Sequence, residues 1–149
     1  MAFRLAAPFR VPPAVAHMHA SEIARQHLEG LLDHYAGALT LRPPLSLRSA
    51  RWTAVDERAW REGFEAERVR AVALLADLRK VIGGPEDRVQ TLLQSAVGIS
   101  LESADRWAAA YRAARHEPGC MALFARAELA ARLASSLREI GERAERTAA

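Results

Sequence analysis

Residues 52–82 read WTAVDERAWREGFEAERVRAVALLADLRKVI. Trp60, Phe64, Ala71, Leu74, Leu75, Leu78 and Ile82 recur at intervals that place them on one face of an α-helix, with charged residues opposite. Thr53 followed three residues later by Asp56 is the pattern of a capping box, and Trp52 stands where a hydrophobic staple belongs. Gly83-Gly84-Pro85 supplies the stop: a glycine for the C-terminal turn and a proline ready to open the next helix. The spacing therefore predicts a central helix over about 53–82, of about 30 residues or roughly 45 Å. A helix of that length is the spine of a bundle or one half of an intersubunit coiled coil.

Working outward, the same period recurs on both sides. Ser21 before Glu22 reads as the N-cap of a first helix reaching about Leu39, with Ala24, Leu28, Leu31, Leu32, Tyr35 and Leu39 on one face. After the central helix, a short helix is expected over 86–97, broken by Gly98, then a further helix from Ser100 to about Arg115. A last helix starts at Met121 and carries a seam of small residues, Ala127, Ala130, Ala131, Ala134 and Gly141, through which a partner helix can approach closely. The fold expected is all-α, a compact bundle of about five helices forming one domain over 21–147. Residues 1–20 form a proline-rich extended arm, its Phe3 and Phe9 available to an apolar groove.

The chain has 149 residues, half of them apolar, enough for a core that needs neither disulfides nor a metal. Of its 21 basic residues only Lys80 is lysine, a bias attributed to GC-rich codon usage and given no functional weight. The net charge of +3 arises within residues 1–52, where six arginines face three acids, so no helix is a basic stripe. The lone Cys120 excludes a disulfide scaffold. No stretch approaches the roughly 20 apolar residues of a membrane span. A cytoplasmic bacterial protein is expected.

Residues 92–112, LLQSAVGISLESADRWAAAYR, resemble the helix-turn-helix of bacterial repressors: a glycine, an apolar Ile99, a capping Ser100, then Ala104 and Trp107 in the following helix. The resemblance implies DNA contacts from Arg106 and Arg112. The pattern departs from the motif where Gln94 replaces the usual alanine and where Glu102 and Asp105 would meet phosphate. A plain helical corner fits the same residues, and is preferred.

Four histidines, His17, His19, His27 and His34, lie within 18 residues, and imidazole suits transition metals. No His-Glu-x-x-His or Glu-x-x-His spacing accompanies them, so ordinary half-exposed histidines are the preferred reading. His116 and Cys120 flank a Pro-Gly turn, with Glu117 beside them as an orienting group, but no oxyanion loop attends them. Glu86 and Asp87 occupy the helix start after Gly84 and leave no room for phosphate there. Glu57, Glu62, Glu65 and Glu67 interleave with Arg58, Arg61, Arg68 and Arg70 and read as a solvated charged face.

These observations point to a non-catalytic bundle that acts through protein contacts as an adaptor, inhibitor or regulatory subunit, and forms a homodimer. Its expected interface residues are Phe3, Phe9, Trp52, Trp60, Ala127, Ala130 and Ala134. No cofactor is expected. A DNA-binding regulator built on 92–112 and a metal- or small-molecule-binding bundle using His27 and His34 are the alternatives.

Overall fold

The structure is a computed structural model that describes residues 13–47, 51–82 and 88–148. Four α-helices occupy them: α1 (Pro13–Asp33), α2 (Ala54–Val81), α3 (Val89–Ala114) and α4 (Met121–Ala148), with no strand among the described residues.

Helix α2 matches the stretch that predicts it. Thr53 accepts from the Asp56 N–H at 3.2 Å while the Asp56 carboxylate accepts from the Thr53 N–H at 2.9 Å, the reciprocal pair of a capping box. Acids stand in its first turn and Arg79 and Lys80 in its last, both favourable to the helix dipole.

Helix α1 departs from expectation at both ends. It already runs at Pro13, so residues 13–20 are helical and not part of an extended arm; a proline in a first turn gives up an N–H that has no intrahelical acceptor. Ser21, expected as an N-cap, is buried within the helix. The rest of the expected arm, including Phe3 and Phe9, lies outside the described residues. At the other end α1 loosens into a π-helical turn over His34–Ala38, closed by Leu39 N–H donating to His34 O at 2.9 Å. Two carbonyls of that turn, Tyr35 and Ala36, accept from Arg68 Nη1 of α2 at 2.9 and 3.2 Å, and Glu65 holds the same guanidinium in place.

The larger correction concerns α3. Gly98 does not break it: the helices expected over 86–97 and 100–115 join in one continuous rod, Val89–Ala114, and the described residues form four helices in place of about five. Gly98 has no positive φ, and the buried positions Val89, Leu93, Ala96, Ser100, Ser103 and Ala104 keep helical period across it. An interior glycine costs a helix only about 1 kcal/mol. Burial of Leu93 alone offsets that, at about 1.5–3 kcal/mol for a fully buried leucine.

Helix α4, not α2, is the hub. It meets all three other helices, whereas α2 and α3, consecutive in the chain, scarcely touch. Its stripe of Ala125, Leu129, Leu133, Leu137, Ile140 and Ala144 is buried along its length, flanked by Ala130, Ala134 and Gly141. Gln90 Nε2 of α3 donates to Gly141 O at 2.8 Å, tying the start of α3 to the end of α4. Helix α3 thus runs antiparallel to α4. Helix α2 runs parallel to α4, and at their crossing a Cβ on Gly63 would overlap the backbone of Ala122, so only glycine permits the approach.

Replacing Gly98 by alanine is expected to raise stability by about 0.5–1 kcal/mol in chemical unfolding, because no atom lies within 4 Å of the added methyl and the helix gains propensity. A loss of stability would show that residue 98 turns the chain.

Candidate functional site

Because α4 separates α2 from α3, a groove opens between them with α4 as its floor. Glu67 lies at its foot. The helical period that runs Trp60, Phe64, Glu67, Ala71, Leu74, Leu78 puts this acid in line with apolar residues, and it is 5% exposed. A carboxylate so placed needs charged partners. Arg126 of α4 donates from Nε to Oε1 at 3.1 Å, Ser103 Oγ of α3 donates to Oε2 at 3.2 Å, and Arg70 Nη1 stands 3.8 Å from Oε1. Arg126 in turn lies over the Trp107 ring, its guanidinium carbon 3.9 Å from the centroid. The Trp107 indole N–H is buried with no hydrogen-bond partner among the described residues. One acid therefore links three helices, and both its oxygens are occupied. Its geometry is that of a structural tie.

Above this tie the groove has a volume of about 190 Å³. Ala71 and Leu74 line it from α2, Ile99 and Ser100 from α3, and Ala130 and Leu133 from below. Ile99, 52% exposed, is the most exposed apolar side chain among the lining residues.

The residues singled out from sequence fall elsewhere. His27 and His34 do share a groove, of about 360 Å³ between α1 and α4, with Glu139 and Arg143 on its far wall. Glu139 is engaged by Arg143 Nη2 at 2.6 Å, and no three His, Cys, Asp or Glu among the described residues are grouped to hold a metal ion. His17 and His19 lie on α1, their side chains outside the description.

Arg106 and Arg112 are both exposed, but on one straight helix; residues 92–112 contain no corner that could present a recognition helix. Trp60 is buried and donates from Nε1 to Leu41 O at 2.9 Å, so it belongs to the core. Trp52, half-buried, packs edge-on to it at 6.5 Å and donates to Glu57. Of the small-residue seam, Ala130, Ala134 and Gly141 are buried inside this chain, Ala127 is half-buried and Ala131 is exposed. Ala130, Ala134 and Trp60 are therefore taken up by this chain's own core.

His116 is exposed while Cys120 is buried, its Sγ–H donating to Arg115 O at 3.6 Å. Burial, aided by the charges of Asp56 and Glu117, pushes the Cys120 thiol up, against the thiolate a nucleophile needs. Glu67 departs from the solvated face expected of it. Its signal was present, since an acid in register with Trp60, Ala71 and Leu78 occupies a core position.

Comparison with known proteins finds no family model, no curated protein and no solved structure that matches this chain.

Tyr35 gives the structure a pH signature. Its ring is 1% exposed, its hydroxyl is without a partner among the described residues, and burial raises its pKa from 10.0 to about 12, partly offset by Arg132. The folded state therefore binds the proton more tightly than the unfolded state, and stability should fall as pH rises from about 10 to about 12, by up to about 2 kcal/mol. Urea unfolding of wild type and Tyr35→Phe through that range should show the loss in wild type beyond that in the variant. Identical pH profiles would contradict it.

Proposed function

We propose that the protein acts by contact, as a non-catalytic adaptor, inhibitor or regulatory subunit whose binding surface is the groove between α2 and α3. One observation carries this reading: Ile99 stands half-exposed beside Leu74 over a floor formed by Leu133, an apolar concavity open to solvent. The buried tie among Glu67, Arg126 and Ser103 supports it, because it holds the three walls of the groove in fixed relation while leaving the apolar end free. A DNA-binding role has less support, since Arg106 and Arg112 alternate on α3 with the exposed acids Glu102 and Asp105.

The test is affinity capture from the native host with three baits: wild type, Ile99→Asp and Leu101→Asp. Leu101 is 39% exposed and lies about 200° around the helix from Ile99, so it controls for added charge on the opposite face. A protein held by wild type and by Leu101→Asp but lost from Ile99→Asp is the expected result, with circular dichroism showing all three baits folded. Equal capture by all three, or no capture by any, refutes the proposal.

A further inference from the structure

We propose that the partner enters this groove as an amphipathic helix bearing a large apolar residue and, one turn away, a carboxylate; this rests on the groove being the binding surface. The apolar requirement follows from Leu74, Ile99 and Leu133, which meet above Ala130 and leave space for an inserted side chain. The acidic requirement follows from charge. Among the residues lining the groove Glu67 is the one carboxylate and Arg70 the one guanidinium, and Arg126, from outside that lining, takes the close bond to Glu67 at 3.1 Å. Arg70 reaches Glu67 only at 3.8 Å and keeps 47% of its side chain exposed, so it has donors left for a second carboxylate.

Arg70 lies one turn, about 6 Å, from Leu74, and this spacing sets the separation of acid and apolar residue on the partner. A basic or neutral helix would leave the remaining donors of Arg70 unmatched, which makes the groove selective as well as adhesive.

The probe is a displayed library of helical peptides of about 16 residues, roughly four turns, with apolar residues fixed along one face and flanking positions drawn equally from Glu, Lys and Ser. It is selected on the full chain as wild type, Ile99→Asp, Arg70→Gln and Arg70→Glu. Wild type should enrich Glu over Lys at the position one turn from the central apolar residue. The best such peptide should bind wild type about fivefold more tightly than its Lys counterpart, as expected for a half-exposed ion pair. Arg70→Gln should abolish the preference and Arg70→Glu reverse it, with melting curves confirming that both remain folded; should the reversal mutant not fold, Arg70→Gln alone decides.

Peptides that need Ile99 but show no charge preference would overturn the acidic partner while leaving the groove as the binding surface. Absence of any Ile99-dependent peptide would overturn both. Light scattering across a concentration series distinguishes the remaining occupant: a dimer dissolved by Ile99→Asp would show that a second copy of this chain fills the groove, against the proposal.

Discussion

Gly63 and Ala122 meet backbone to backbone, and from that contact the arrangement of α2 on α4 follows. The two helices run parallel, so the residues one turn further along each, Glu67 and Arg126, face one another, and the next turns bring Ala71 and Ala130 to the same groove. A methyl group at position 63 would force the helices apart at the crossing and carry the acid away from its guanidinium. A close backbone approach thus sets the register, and the register makes burial of a charge tolerable.

The packing of three helices around α4 has a cost and a use. Helices α2 and α3 cannot zip together along their length, because α4 lies between them, and part of the apolar surface of each is left at the groove. Ile99 and Leu74 are that residue of unburied surface. The polar tie compensates at one end, joining Ser103, Glu67 and Arg126 and giving α2 and α3 an indirect link. Geometry that looks like incomplete packing in an isolated chain is what a binding groove requires.

Much of the fold was legible in the sequence. The Thr53–Asp56 box, the long apolar period through Ile82 and the start of the last helix at Met121 all rest on local rules, and the structure agrees with each. Gly98 and Pro13 misled for a shared reason: local breaker chemistry was weighed without the packing that overrides it. A helix whose other residues bury onto α4 absorbs a glycine, and a proline opens a helix as readily as it interrupts one. The groove was less legible. Glu67 could have been recognised from its register with Trp60 and Ala71, but its partners Arg126 and Ser103 lie 59 and 36 residues away and only tertiary structure unites them. The histidines, conspicuous in sequence, ended on a face where Glu139 already serves Arg143.

A double-mutant cycle on Glu67→Gln and Arg126→Met, read by equilibrium urea unfolding, tests whether this buried carboxylate ties the helices together. Coupled residues in one buried network should show an interaction energy of about 1–3 kcal/mol, since each single change already removes the close ion pair between them. Additivity to within about 0.5 kcal/mol would mean that the two side chains do not meet in the folded protein, and the register of α2 on α4 would have to be abandoned.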